Sequence, residues 1–287
     1  MASDPGAVLI TGCSSGIGEE TARRLAAKGW TVYATARRPE SIAGLAEAGC
    51  KTLALDVTDE GSMQAAVEAV EQAEGAVGAL VNNAGYSQSG ALETLPMERL
   101  RAQFETNVFG LVRMCQLVLP GMRRAGRGRI VNISSMGGRL TFPGGGAYHA
   151  SKYAVEALSD ALRWEVREFG IRVVIVEPGL IVTRFGETAA DSIAANGTED
   201  ESDPYARFNA TVGAATTAIY EGPMRRLGGG PDAVAKVIER AIGSRNPRPR
   251  YKVTASARLA IAQRRLLPDR AWDAVLRTQF DPPRRSG

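Results

Sequence analysis

Histidine is nearly absent from this sequence, since His149 is the single histidine among 287 residues. A multi-histidine metal site is therefore excluded, and a Ser-His-Asp triad would depend on this one side chain. The three cysteines, Cys13, Cys50 and Cys115, form no C-x-x-C pair, so neither a disulfide framework nor a zinc site is indicated. We expect no metal site and three small, packed thiols.

Long apolar runs are missing as well. The stretch from Ile171 to Val182 is broken by Arg172, Glu177 and Pro178, whereas a membrane-spanning helix needs ~20 apolar residues. The first seven residues, MASDPGA, lack the basic start and the apolar core of a signal peptide. The sequence therefore predicts a soluble, cytoplasmic protein without a transmembrane segment.

Net positive charge is confined to the end of the chain. The formal net charge is +4, yet residues 245–287 contain ten arginines and one lysine against three aspartates. No aromatic-interleaved basic platform or zinc-finger spacing accompanies these charges, so no nucleic-acid partner is predicted. A solvated basic face is the main interpretation. Two other interpretations remain open for the predicted helix from Ala255 to Leu267. The helix could shield a contact between subunits, or it could make peripheral contact with a membrane surface.

Short apolar segments alternate with helical patterns along most of the chain. The predicted strands are residues 7–10, 30–35, 52–56, 79–82, 129–133 and 172–176. The longest helical patterns between them are residues 96–119 and 148–169. Such alternation implies right-handed crossovers and a parallel sheet. We predict an α/β fold, a Rossmann-type doubly wound parallel sheet flanked by helices.

The predicted organisation is a single domain with two appended features. Residues 1–245 are expected to form this Rossmann-type domain. Within it, residues 183–230 are rich in Ala, Gly and Thr and follow the carboxyl end of a core strand. Because ligands of open sheets bind beyond that edge, we predict a variable substrate cover there. Residues 246–287 are predicted to be a basic extension packed on the same domain.

Tyr148 and Lys152 have the spacing of neighbours on one helix face. A cation close to a phenol favours the phenolate, so this lysine would prepare the tyrosine to act as a general acid/base. Taken alone, a Y-x3-K pair is common on solvated helix faces. His149 follows Tyr148 directly, and because adjacent helical residues diverge, we interpret it as a bystander to the chemistry.

Glycines cluster between the first strand and the first predicted helix, in the pattern Gly12-x3-Gly16-x-Gly18. Such a turn lets the backbone approach a pyrophosphate at a helix start, where free N–H groups bind an anion. Ser14, Ser15 and Ile17 lie in the same turn and are predicted cofactor contacts. A tight structural turn without a ligand is the alternative.

These motifs together resemble the short-chain dehydrogenase/reductase family, over roughly residues 6 to 245. The series, in order, is Thr11-Gly12-Cys13-Ser14-Ser15-Gly16-Ile17-Gly18, Asp56-Val57, Asn82-Asn83-Ala84-Gly85, Asn107, Ser135, Tyr148-x3-Lys152 and Pro178-Gly179. The resemblance implies an NAD(P)-dependent oxidoreductase that acts on CH–OH groups, with residues 1–245 as its dinucleotide-binding and catalytic domain.

The resemblance also implies a role for each catalytic residue. Tyr148 would donate or accept the hydroxyl proton, and Ser135, rather than the adjacent Ser134, would bind the substrate oxygen. Lys152 would lower the tyrosine pKa and bind the nicotinamide ribose. Asn107 would disturb the long helix locally and hold a water that links Lys152 to solvent.

The remaining family motifs are implied cofactor contacts. Asp56 and Val57 would meet the adenine ring, while Asn83, Ala84 and Gly85 would support the turn beneath the cofactor. Beyond Pro178 and Gly179, Thr183 and the backbone of Ile181 would hold the nicotinamide carboxamide.

Arg37 bears on the choice between the two nicotinamide cofactors. NAD-dependent relatives place an acid at the end of the second strand to bind the ribose 2′-hydroxyl, and this chain has Thr35-Ala36-Arg37-Arg38 there. Arg37 is placed to pair with a 2′-phosphate, so NADP(H) is preferred and NAD(H) is the alternative. Ser15 departs from the pattern, since many NADP-preferring relatives carry a base at that position.

The extension and cover resemble the subgroup that acts on steroids, retinoids and other bulky apolar alcohols or ketones. We therefore expect a small-molecule ketone or secondary alcohol on an apolar body. A 3-oxoacyl-thioester reductase is the alternative enzyme, with the basic tail as a patch for an acidic carrier protein. A dinucleotide-sensing binding module is the non-enzyme alternative, although it would not need Ser135, Tyr148 and Lys152. The two long helices resemble those through which relatives form homodimers and homotetramers.

Overall fold

The computed structural model describes residues 6–183 and 203–280, which form one sheet covered by helices on both faces. In these ranges the sheet has seven strands in the order β3-β2-β1-β4-β5-β6-β7, and every neighbouring pair is parallel. The order reverses direction at β1, as in a doubly wound fold. The predicted fold class is confirmed.

The strands are β1 (Ala7–Ile10), β2 (Val32–Ala36), β3 (Lys51–Ala54), β4 (Val77–Asn82), β5 (Gly128–Ile133), β6 (Ile171–Pro178) and β7 (Arg250–Val253). The helices in the first half are α1 (Gly16–Ala26), α2 (Ala43–Glu47), α3 (Glu60–Glu74), α4 (Met97–Phe104) and α5 (Gly110–Arg124). Those in the second half are α6 (Gly146–Glu165), α7 (Ala206–Glu221), α8 (Pro231–Gly243), α9 (Thr254–Leu266) and α10 (Asp269–Arg277).

Alternation of side chains along the central strands divides the core into two layers. Val8 and Ile10 of β1 pack with α1 and α8 on one face, whereas Leu9 packs with α3, α5 and α6 on the other. All three side chains are fully buried. Burial on both faces explains why the central strands are continuous apolar runs. The sheet thereby holds the carboxyl ends of its strands in fixed positions.

Two elements depart from a regular α/β pattern. Residues 96–119, predicted as one helix, contain a π-helical turn at Glu105–Phe109 between α4 and α5. The extension contributes β7, which pairs with β6 from Ile175↔Arg250 to Pro178↔Val253. Strand β7 was not predicted, because its sequence, RYKV, has no apolar run.

No helix within residues 6–183 and 203–280 is both long enough and apolar enough to cross a bilayer. All three cysteines are buried, as predicted. Burial raises the pKa of both Cys13 and Cys115 to about 12, so these thiols behave as packing groups at neutral pH.

Candidate active site

A cleft of about 970 Å³ lies at the carboxyl ends of the strands. One of its walls is the turn after β1, and the opposite wall is formed by α6, the 142–145 loop and α7. Of the predicted site residues, the cleft is lined by Gly12, Ser14, Ser15, Gly16, Ile17, Arg37, Asp56, Val57, Asn83, Ala84, Gly85, Ser135, Tyr148, Lys152, Pro178, Gly179, Ile181 and Thr183. The sheet therefore brings together residues that are far apart in the sequence.

The glycine turn is held in shape by the segment after β4. Asn83 Nδ2 donates to the carbonyl oxygens of Thr11 and Gly12, at 3.0 and 2.9 Å. Thr11 Oγ1 in turn accepts from the backbone N–H groups of Asn83 and Ala84, both at 3.0 Å. A Cβ at Gly18 would lie 2.3 Å from the carbonyl oxygen of Gly12, so this helix turn has no space for a side chain.

The start of α1 faces the cleft without a side-chain cap. Ser15 occupies the N-cap position in extended backbone geometry, and its hydroxyl makes no capping hydrogen bond. The helix N-terminus therefore presents its backbone N–H groups and the positive end of its dipole to the cleft. Gly16 adopts a φ of +63°, which favours glycine there.

Two charged residues line the end of the cleft near β2 and β3. Arg37 follows the last residue of β2 and is exposed. The Asp56 carboxylate accepts hydrogen bonds from the Thr58 backbone N–H at 2.9 Å and from its hydroxyl at 2.8 Å. Asp56 thus fixes the turn after β3, and Arg37 is placed where it can meet an anion.

Tyr148 and Lys152 lie on the face of α6 that points into the cleft. Lys152 Nζ is 5.8 Å from the centroid of the Tyr148 ring and donates to the Ile133 carbonyl oxygen at 2.9 Å. The lysine is only 6% exposed. Desolvation lowers its pKa to about 8, although the charge of Glu156 opposes this shift. The pair thus combines a half-buried phenol with a buried ammonium whose pKa lies below its usual range.

Asn107 lies inside the π-helical turn, so the predicted disturbance of the long helix is present. Its Nδ2 donates to the Tyr86 carbonyl oxygen at 3.0 Å and to Ser151 Oγ at 3.1 Å. Its Oδ1 accepts from the Tyr86 backbone N–H at 3.1 Å. A Cβ on Gly85 would lie 3.0 Å from this Oδ1 and 3.7 Å from Lys152 Nζ, so the glycine leaves space between the two side chains.

Ser135 and Ser134 differ in their environment. Ser135 is half-buried at the cleft, where its Oγ accepts from the Gly137 backbone N–H at 3.0 Å. Ser134 is 2% exposed, and its Oγ has no hydrogen-bond partner among the described residues. A Cβ on Gly138 would lie 2.7 Å from Ser134 Oγ and 3.0 Å from Glu156 Cγ. Of the two hydroxyls, that of Ser135 is the accessible one.

His149 packs between two glycine segments. Its Nδ1 lies 3.0 Å from the Gly137 carbonyl oxygen, and a Cβ on Gly137 or Gly145 would overlap the imidazole ring. Desolvation lowers the pKa of His149, and the bond to Gly137 only partly offsets this. A neutral ring that ties two loops together is consistent with a structural role.

The start of α9 holds the loop after β6 in place. Ser256 Oγ accepts from the Leu180 backbone N–H at 3.0 Å. Thr254 has a φ of +79°, in the left-handed region that β-branched residues rarely adopt. A Cβ on Gly179 would lie within 2.5 Å of both hydroxyl oxygens, so the loop and helix can approach only at a glycine. This strained contact fixes the loop that carries Ile181 and Thr183.

Sequence reasoning missed a group of buried charges behind the lysine. Glu177 of β6 is 0% exposed, and Glu156 lies one helical turn beyond Lys152. Arg250 Nε lies 2.9 Å from Glu156 Oε2 and 3.5 Å from Glu177 Oε1, and Arg139 Nη1 is also 3.5 Å from Glu177. Neither Glu177 oxygen has a hydrogen-bond partner in the described ranges, and burial raises the pKa of Glu177 to about 7.

The far wall of the cleft is apolar and comes from the second half of the chain. Phe142 lies 6.3 Å, between ring centroids, from both Trp272 and Phe280. Val212 and Thr216 of α7 line the same cleft. The part of the predicted substrate cover formed by residues 184–202, including Phe185, lies outside the described residues.

The cleft fits a nicotinamide dinucleotide in three respects. The uncapped start of α1 suits a pyrophosphate. At the same turn, the close approach of Gly18 to Gly12 leaves only backbone atoms beside the cleft. At the other end of the cleft lie a partly exposed phenol, that of Tyr148, and a buried ammonium, that of Lys152. Within the described ranges, no group of three or more His, Cys, Asp or Glu side chains is placed to hold a metal ion.

Comparisons with known proteins agree with this geometry. The model of a family described as short chain dehydrogenase matches residues 6–193. A 3-ketodihydrosphingosine reductase of Bacteroides thetaiotaomicron is 38% identical over 274 residues, which cover 95% of this chain and 97% of that protein. An NADPH-dependent 3-dehydrocapnine reductase of Ornithobacterium rhinotracheale is 34% identical, with coverages of 93% and 94%.

A solved structure is similar over nearly the whole chain. A short-chain dehydrogenase from Streptomyces avermitilis superposes with a TM-score of 0.76 and 35% sequence identity. The similarity covers 95% of this chain and 98% of that one.

Proposed function

We propose that this chain, which belongs to the short chain dehydrogenase family, interconverts a ketone and a secondary alcohol on a bulky apolar substrate with NADP(H). As a family member it is an NAD(P)-dependent oxidoreductase acting on CH–OH groups. The observation that carries the proposal is the placement of Tyr148, Lys152 and Ser135 in one cleft with the glycine turn.

The proposed chemistry divides between the cofactor and three side chains. A bound nicotinamide supplies or accepts the hydride. Tyr148 donates a proton to the substrate oxygen during reduction, and Ser135 Oγ orients that oxygen. Lys152 binds the ribose hydroxyls and favours loss of the tyrosine proton through its charge. Asn107 holds the space beside Gly85 open, so that water can return a proton to Lys152.

The proposed substrate class rests on the apolar far wall. Phe142, Phe280 and Val212 offer aromatic and aliphatic surface rather than hydrogen-bonding groups. The names of two relatives, a 3-ketodihydrosphingosine reductase and an NADPH-dependent 3-dehydrocapnine reductase, describe reductases as well. A ketone on an extended apolar body fits both observations.

The reaction is tested with Tyr148→Phe against a panel of ketosteroids, medium-chain ketones and acetoacetyl thioesters. General acid/base catalysis typically contributes 10²–10⁴-fold, so we expect kcat to fall by roughly 10³-fold with little change in the NADPH dissociation constant. Tyr153→Phe is the control, because Tyr153 lies on the same helix but is exposed. Wild-type kcat in the Tyr148→Phe enzyme would refute the mechanism. A clear preference for the thioesters would favour the 3-oxoacyl-thioester reductase, and NADPH binding without turnover of any compound would favour a sensing module.

The preference for NADP(H) is tested with Arg37→Asp. A charge-assisted bond to a 2′-phosphate contributes about 1.5–3 kcal/mol, so the ratio of NADPH to NADH efficiency should fall roughly 100-fold. Arg38→Asp removes the neighbouring charge, which does not line the cleft, and should change the ratio little. An unchanged ratio in Arg37→Asp means that the cofactor assignment is wrong.

Homo-oligomer formation is a separate proposal. Phe109, at the junction of the π-helical turn and α5, and Trp164, near the end of α6, are 55% and 64% exposed. Large apolar side chains on neighbouring helices suit a subunit contact. Equilibrium sedimentation of the wild-type protein and of the Phe109→Ser/Trp164→Ser variant measures whether these two side chains form a subunit contact.

A further inference from the structure

Helix α9 is amphipathic, with one buried face and one face open to solvent. Ser256, Ala257 and Ile261 are buried, and Ile261 packs against Leu140 and Trp272. These contacts fix the rotation of the helix. The opposite face is therefore held outward rather than free to turn inward.

The outward face carries a short apolar stripe. Ala255, Leu259, Ala262 and Leu266 follow one another at spacings of four, three and four residues, so they lie in a row along the helix. All four are exposed, and the two leucines are 57% and 81% exposed. Leu266 is more exposed than any other large apolar side chain in the described ranges.

Basic side chains accompany this stripe, and acidic ones are missing from the segment. Residues 245–268 contain no aspartate or glutamate and seven arginines and lysines. Arg258 and Arg265 lie along one flank of the stripe, both exposed, and neither forms an ion pair with any residue of 6–183 or 203–280. By contrast, Arg264 on the inner side pairs with Asp269 at 2.7 Å.

We propose that α9 rests on an anionic lipid bilayer, with Leu259 and Leu266 among the acyl chains and Arg258 and Arg265 at the lipid phosphates. A helix lying in the interface combines an apolar row with arginines and lysines in this way. A second copy of this chain suits the face less well. A stripe of two leucines and two alanines is small beside the ~800 Å² that each partner of a stable interface buries. A symmetric contact would also bring arginines against arginines.

The same helix touches the cleft at two places, which gives the docking a consequence. Its first turn holds Leu180 through Ser256, and Ile261 supports Trp272 and Phe142 in the far wall. Contact with a bilayer would therefore bring the apolar wall close to the lipid phase. Substrate entry from the membrane rests on the proposed function, whereas the docking itself does not.

Docking is tested by co-sedimentation of the full chain with phosphatidylcholine vesicles, with and without phosphatidylglycerol. Each basic residue near an anionic surface contributes about 1 kcal/mol, or roughly a factor of five, to the partition coefficient. Arg258→Gln/Arg265→Gln should therefore bind anionic vesicles roughly 25-fold more weakly. Arg101→Gln/Arg240→Gln removes the same charge from exposed sites on α4 and α8 and should change binding less than about threefold. Leu259→Ser/Leu266→Ser should lose about 10-fold, with turnover of a short, water-soluble ketone unchanged.

Three results would overturn the proposal. One is wild-type protein that does not sediment with anionic vesicles, and another is an equal loss of binding in the two arginine pairs. The third is a lower sedimentation coefficient of Leu259→Ser/Leu266→Ser without vesicles, because that result assigns the face to a contact between copies. None of these measurements depends on turnover, so docking and catalysis can fail separately.

Discussion

The glycine turn and the far wall of the cleft are built in different ways. The turn is enforced by backbone against backbone, since a Cβ on Gly18 would overlap the Gly12 carbonyl and one on Gly12 would lie 2.8 Å from Ala84 Cα. The turn also packs against the two large hydrophobic clusters on the faces of the sheet. The described part of the far wall rests on two small clusters, one around Trp272 and the other around Val212 and Phe280. The geometry of the turn is therefore tightly determined, whereas the far wall can change by exchanging a few side chains.

Among the variants that test this contrast, the largest effect is expected at the turn, from Gly18→Ala. A methyl group must displace the Gly12 carbonyl or Asn83, and overpacking of this kind costs about 1–3 kcal/mol. We expect the affinity for NADPH to fall about 100-fold, measured by titration of cofactor fluorescence. Gly61→Ala in the first turn of α3 is the matched control, because its Cβ would meet only Asp59 Oδ1, at 3.5 Å. If Gly18→Ala binds NADPH as tightly as wild type does, then the turn can accommodate a methyl group and its geometry is not tightly determined.

A smaller and more selective effect is expected at the wall, from Trp272→Ala. Loss of this side chain removes the support of Phe142, so KM for a bulky apolar ketone should rise about 10-fold. The dissociation constant of NADPH should stay within about twofold, because Trp272 does not line the cofactor end of the cleft. Trp272→Phe should give an intermediate KM. A parallel loss of NADPH affinity would break the separation of the two regions.

The smallest effect concerns Glu177, the buried carboxylate of β6. Burial raises the pKa of Glu177 from 4.5 to about 7, so the folded protein binds this proton more tightly than the unfolded chain does. The free energy of unfolding is therefore highest below pH 4.5 on this account and decreases as pH rises towards 7. Glu177→Gln removes this contribution. Urea unfolding at about pH 5 and about pH 8.5 should show the variant gaining on the order of 1 kcal/mol over wild type at the higher pH.

Glu165→Gln provides the comparison for this titration, since Glu165 is exposed near the end of the same helix as Glu156. Because this substitution leaves Glu177 in place, the Glu165→Gln protein should keep the fall in unfolding free energy that Glu177 gives wild type between the two pH values. If Glu177→Gln behaves in the same way, then Arg139 and Arg250 keep Glu177 ionised in the folded protein.

The contrast between the two regions also explains what could be predicted from the sequence. The central strands are buried on both faces, so β1 was predicted at its observed bounds and β5 and β6 within one or two residues at each end. The glycine turn was found because its backbone geometry requires particular residues at particular spacings. Helix α7 was not predicted, since its Ala- and Thr-rich sequence has a weak period.

Contacts between distant segments were beyond sequence reasoning. Glu177 was interpreted only as an interruption of an apolar run, because Arg139 and Arg250 reach it from far along the chain. The hydroxyls of Thr254 and Ser256 carry no local signal for their contact with the loop after β6. The assigned roles of Ser135, Tyr148, Lys152 and Asn107 stay predictions until the variants are measured.

The two edge strands of the sheet are short and carry charged side chains, and this affects how readily copies of the chain aggregate. Strand β3 starts at Lys51, and β7 carries Arg250 and Lys252 within four residues. The unpaired backbone groups of an edge strand are a template for aggregation. A four-residue edge strand that carries lysine disfavours pairing with a further strand. The extension thus closes the border that β6 would otherwise leave bare. A chain shortened before Arg250 is expected to precipitate on refolding even where its central strands form.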